Sequence, residues 1–119
     1  MKTEINEIVV DGEIYTKKQS YPKRDGMEYC IVRTCSAGVF AGYIESRDGK
    51  EVVMVDARRL YYWDGAATLS QLAMEGVKSP ENCKFPVAVD RVILTEAIEI
   101  IPATSQAKKS IDGVVIWKR

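Results

Sequence analysis

The sequence predicts an α+β domain in which antiparallel β-hairpins form a sheet, accompanied by one capped helix and one short C-terminal helix. Three observations predict it. Asp11-Gly12 and Asp48-Gly49 each separate short runs rich in β-branched and aromatic residues, and Asp-Gly tolerates the positive φ angles of tight hairpin turns. Thr68 to Gly76 carries a T-x-x-Q start and an apolar stripe at helical spacing. The chain has 119 residues, 46% hydrophobic and 29% charged, which suits one globular domain.

The elements follow in order. Ile8-Val9-Val10 and Glu13 to Thr16 make the first hairpin, and Lys17 to Gly26 is a polar loop around Tyr21-Pro22. Residues 1–27 thus form an N-terminal hairpin and loop, and 28–119 the main body of a single domain. Tyr29 to Thr34 is a strand, and Cys35-Ser36-Ala37-Gly38 a small-residue break. Val39 to Ser46 and Glu51 to Val55 make the second hairpin, where Gly42 marks a bulge or a close backbone approach. Asp56 to Trp63 continues that strand past a bend, with Asp64 to Ala67 as a turn. Thr68 caps a helix carrying Leu69, Leu72, Ala73 and Val77 on one stripe, and Gly76 stops it. Lys78 to Pro86 is loop. Arg91 to Ile101, rich in β-branched residues and closed by Pro102, is expected as one strand. Thr104 caps a short helix from Ser105 to Ile111 that ends at Gly113, and Val114 to Trp117 is a final β-rich segment.

Composition narrows the function. The 17 basic and 17 acidic side chains cancel, whereas general nucleic-acid binders carry a surplus of Lys and Arg. No apolar run approaches the ~20 residues of a membrane span. The charged start, Met1 to Glu7, lacks the apolar core of a signal peptide, so a cytoplasmic protein is expected. There is no histidine, which removes Ser-His-Asp triads, Cys-His pairs and H-E-x-x-H zinc sites. Cys30, Cys35 and Cys83 fit no common zinc spacing and read as reduced thiols. Glu96 and Glu99 point to opposite faces of a strand, a poor arrangement for paired-carboxylate catalysis. No cofactor, no metal and no enzymatic activity are expected.

The densest collection of chemistry runs from Asp56 to Ser70. In an extended strand Arg59, Tyr61 and Trp63 share one face, with Asp56, Arg58 and Tyr62 on the other. Guanidinium groups grip phosphate bidentately and rings offer bases a stacking surface. A small-residue turn and the helix start at Thr68 follow, where unpaired amides favour an anion. Arg33 and Ser36, beside the small-residue break, are the second candidate group. The candidate ligand-binding set is therefore Arg33, Ser36, Arg58, Arg59, Tyr61, Trp63 and Thr68. A structural reading stands beside it: Asp56 pairs with Arg58, the three rings are core or subunit interface, and the cap serves its own helix. Lys108 and Lys109 read as a solvated helix face, with contact to an anion in an oligomer as the lesser alternative.

Thr34-Cys35-Ser36-Ala37-Gly38-Val39, Asp56-Ala57-Arg58-Arg59-Leu60 with Tyr62-Trp63, Gly65-Ala66, Thr68-Leu69-Ser70 and Leu94-Thr95-Glu96-Ala97-Ile98-Glu99 together resemble a family of small bacteriophage and prophage proteins. The resemblance covers about residues 28–112 and omits the first hairpin. Within that setting the chain is similar to the anti-Thoeris sponge group. That resemblance implies a sheet with two helices, a homo-oligomer, and sequestration of a cyclic nucleotide or cyclic ADP-ribose-type immune signal without cleavage. The rival expectation is a virion or accessory interaction module that uses the same aromatic surface as an interface.

Overall fold

The computed structural model describes residues 20–118 in full, together with the backbone of residues 7–10 and 13–16. Strands β1 (Glu7–Val10) and β2 (Glu13–Thr16) pair antiparallel as a two-stranded sheet. The Asp11-Gly12 turn between them lies outside the described residues. The main sheet is antiparallel and has six strands: β3 (Lys23–Arg24), β4 (Met27–Thr34), β5 (Val39–Asp48), β6 (Glu51–Arg59), β7 (Val89–Leu94) and β8 (Ala97–Pro102). Two helices, α1 (Leu69–Glu75) and α2 (Ser105–Asp112), complete an α+β fold.

Pairing runs β3-β4-β5-β6-β7, and β8 pairs with β4. Consecutive strands β7 and β8 therefore lie on opposite sides of the sheet, beside β6 and β4 respectively. The single strand expected from Arg91 to Ile101 is in fact these two, because the chain bends at Thr95-Glu96. The bend is fixed by its backbone: Cys35 N–H donates to Glu96 O at 2.9 Å, and Ala97 N–H donates to Lys50 O at 3.0 Å. The sheet curls around this bend. Cys30 and Val32 of β4, Phe40 of β5, Val52 and Met54 of β6, Leu94 of β7 and Ala97 of β8 pack together inside the curl.

The opposite face is covered by the helices. Tyr29 and Ile31 of β4 and Ala41 and Tyr43 of β5 pack there against Leu72 and Ala73 of α1 and Ala107 and Ile111 of α2. Strand periodicity alone divides β4 between the two cores, since alternate residues point to opposite faces. Both helices start as the sequence predicts. The Thr68 hydroxyl accepts from Gln71 N–H at 3.1 Å, and the Thr104 hydroxyl from Ala107 N–H at 3.0 Å. The Gln71 side chain reaches back to Ala67 N–H at 2.9 Å, one residue before the usual capping-box partner.

Three further expectations are corrected. Lys17 to Gly26 is not loop throughout: Lys23 and Arg24 pair with Glu28 and Met27 around Asp25-Gly26, both at positive φ. Val114 to Trp117 makes only an isolated parallel bridge, Phe85 with Ile116, rather than a strand. The alternation expected over Asp56 to Trp63 is broken by a bulge. Gly42 faces both Asp56 and Ala57, because Ala41 pairs with Arg58 and Tyr43 with Val55. Asp56 takes the left-handed conformation, φ 49°, and this turns the following residues by one position.

Candidate functional site

The bulge at Asp56 decides what Arg58 and Arg59 can do. Without it they would continue the alternation set by Met54. With it, Ala57 points into the curled interior and Arg58 toward the helix side. There Arg58 is only 8% exposed. Its Nε donates to Pro86 O at 2.9 Å, Nη1 to Ile111 O at 2.8 Å, and Nη2 to Phe85 O at 2.9 Å and Val114 O at 2.7 Å. Almost the whole donor set of the guanidinium is spent on backbone carbonyls. Burial lowers its pKa somewhat, opposed by the Asp112 charge. Arg58 thus clamps the loop before β7 to the end of α2 and the chain beyond it.

Arg59 lies on the other face. Its guanidinium sits over the Phe40 ring at 4.4 Å and donates to Ala37 O. Arg33 pairs across strands with Val39, one residue from Phe40, so it belongs to the face opposite Arg59. Arg33 forms an ion pair with Glu99 at 3.2 Å, and the Ser36 hydroxyl donates to Glu96 at 2.9 Å. The small-residue break is therefore closed by its own hydrogen bonds, including Thr34 Oγ1 to Gly38 O at 2.8 Å. Asp56 pairs with Arg24 rather than with Arg58.

The predicted rings separate as well. Trp63 packs against the helix-side core. Tyr61 is 63% exposed and stacks on Trp117, with ring centroids 5.3 Å apart and planes 5° from parallel. The ammonium of Lys84 lies 5.7 Å from the Trp117 ring and 5.9 Å from that of Tyr62. Lys84 and Tyr62 exchange backbone hydrogen bonds of 3.2 and 2.7 Å, and Trp117 N–H donates to Phe85 O at 3.0 Å. A groove beside these rings is lined by Pro80, Glu81, Cys83, Val115 and Ile116. Among the described residues Lys84 has no carboxylate partner. Of the seven candidates, the structure keeps Tyr61 on an open aromatic platform, and Thr68 serves as a helix cap. Lys84 and Trp117 escaped the sequence reading, for both join the platform through long-range contacts that no local pattern signals.

A family model described as a domain of unknown function, DUF6948, matches residues 27–111. The chain belongs to that family. The DUF6948 segment begins with β4 and ends in the last turn of α2. It contains Arg58, Arg59, Tyr61 and Lys84, whereas Trp117 lies beyond it. No curated protein and no solved structure matches the chain. Among the described residues no group of His, Cys, Asp or Glu could hold a metal ion, and no helix is long and apolar enough to cross a membrane.

Proposed function

We propose that the protein is a phage-encoded binding protein of the host cytoplasm that holds a small anionic, nucleotide-derived signal without cleaving it. One observation carries the reading: the exposed Tyr61 ring, stacked on Trp117, stands beside a Lys84 ammonium with no carboxylate partner among the described residues. A base stacks on such a ring at a gain of about 1–3 kcal/mol, and the ammonium supplies the charge a phosphate needs. Arg58, whose donors are engaged, and Arg59, which lies over Phe40 on the other face, leave the phosphate contact to Lys84.

Titrating the protein with a panel of cyclic nucleotides and cyclic ADP-ribose, followed by tryptophan fluorescence, tests this. The expected result is binding that Tyr61→Ala and Lys84→Ala each weaken about tenfold or more, with the ligand recovered chemically intact. Absence of binding to every member, or turnover products beyond a single equivalent, overturns it.

A second reading is favoured by the apolar residues around the same rings. Val115 is 83% exposed, and Tyr62 and Ile116 are about half exposed, which is costly to leave wet on a small domain. In this reading the strip is an interface with a second copy or a virion subunit. Ligand binding by wild type, in a homo-oligomer by light scattering, selects the first reading; an oligomer that Val115→Asp dissociates, without ligand binding, selects the second.

A further inference from the structure

A different part of the molecule holds two buried phenols whose hydroxyls the aromatic platform does not use. Tyr29 of β4 and Tyr43 of β5 are directly opposite in the sheet and pack edge to face, with centroids 5.3 Å apart and planes at 68°. They are 4% and 8% exposed. Neither hydroxyl has a hydrogen-bond partner among the described residues. Buried polar groups are nearly always paired, so two orphans side by side call for an acceptor from beyond the described residues.

Both tyrosines line a cleft of about 250 Å³ between the bulged middle of the sheet and α2. Arg24 stands over the Tyr43 ring at 4.6 Å, and the Lys108 ammonium lies 5.3 Å from the Tyr29 ring and 5.9 Å from that of Tyr43. The two carboxylates of the cleft are each in an ion pair, Asp56 with Arg24 and Asp112 with Lys108. Arg58, a third cation, also lines the cleft. Cations thus exceed carboxylates, and the unpaired groups are donors. A cavity of this size is smaller than those that hold drug-sized ligands, so the occupant is compact.

We propose that this cleft is a second binding site, one that takes a small oxyanion, phosphate or carboxylate, on the hydroxyls of Tyr29 and Tyr43. Arg24 and Lys108 flank the anion, and the left-handed Asp56 holds Arg24 at the cleft mouth. Burial, aided by the Asp112 charge, pushes the Tyr29 hydroxyl well above its ordinary pKa of 10.0. It therefore remains a donor at any physiological pH. Lys108, for which an anion contact is the lesser expectation from sequence, forms one wall of this cleft.

The test uses the full chain with inorganic phosphate and with acetate as separate probes, read by thermal shift and calorimetry. At least one anion is expected to raise the melting temperature of wild type, and the better of the two names the ligand class. Tyr29→Phe and Tyr43→Phe are each expected to weaken that anion about tenfold or more, the effect of losing one charge-assisted hydrogen bond. Each anion-free variant is expected to melt no lower than wild type, since it loses only an unpartnered buried hydroxyl. Arg47→Ala, whose guanidinium bonds the Gly49 carbonyl in a distant turn, binds normally. The proposal is overturned if neither anion binds wild type or if both Phe variants bind unchanged. It is equally overturned if the anion-free variants melt lower, which would reveal a partner inside the protein. Neither probe carries a ring to stack on Tyr61, so this outcome is separable from that of the aromatic platform.

Discussion

The two faces of the sheet hold their neighbours by different means. Inside the curl the contacts are apolar: Cys30, Val32, Phe40, Val52, Met54, Leu94 and Ala97 meet one another from five strands. The helix-covered face buries a guanidinium and two phenols among its aliphatic contacts. An apolar interior is held by area and shape and penalises an unpaired polar atom. A face that must fasten an irregular segment needs a polar clamp, because the carbonyls of that segment have no strand to bond with. Arg58 supplies it, and Arg59, one residue on, merely seals the end of the other face.

The largest break in this comparison is Arg58→Ala. It takes a donor from four carbonyl groups around the end of α2 and the loop before β7, of which those of Phe85 and Ile111 keep a backbone donor, and we expect a loss of about 3–5 kcal/mol in urea denaturation. Gly42→Ala strikes the device that separates the two arginines. An added Cβ would come within 2.8 Å of the Ala57 Cα and 3.0 Å of the Asp56 carbonyl oxygen. These are backbone atoms that cannot swing aside, and the expected cost is about 3 kcal/mol.

The apolar face reports on pH. Burial, with a smaller contribution from Glu28, pushes the Cys30 thiol from its ordinary 9.0 up to about 11. The folded chain therefore keeps a proton that the unfolded chain gives up. The contribution is complete below about pH 9 and is lost as pH rises through about 11, a fall of about 3 kcal/mol at most. Tyr29 is shifted in the same direction from 10.0 and steepens the decline. Denaturation in urea at about pH 7 and about pH 10.5 measures it, and Cys30→Val should flatten the lower part of the curve.

Arg59→Ala is the smallest of these. The guanidinium is exposed and makes one backbone hydrogen bond and one ring contact, so less than about 1 kcal/mol should be lost. A loss comparable to that of Arg58→Ala would show that the two faces are not held by different means.

Local signals fixed much of this molecule in advance. The alternation of Tyr29 to Thr34, the Asp-Gly turn at residues 48–49, and the Thr68 and Thr104 caps are each written within a few residues. Such devices act over one turn of chain, so sequence suffices for them. Gly42 even announced the close approach, although not which strand would bulge. The α+β class follows from these pieces alone.

Tertiary structure decided everything that depends on which distant segments meet. The run from Arg91 to Ile101 has strand propensity throughout, and only the hydrogen bonds from Cys35 and to Lys50 divide it between two edges of the sheet. The left-handed Asp56 reverses the faces of Arg58 and Arg59, which a period-two reading cannot anticipate. Lys84 comes to Trp117, and Tyr29 to Tyr43 and Lys108, across large separations in the chain. Residue type says what a side chain can bind. Whether its donors remain free is settled by the carbonyls, rings and carboxylates that folding brings to it.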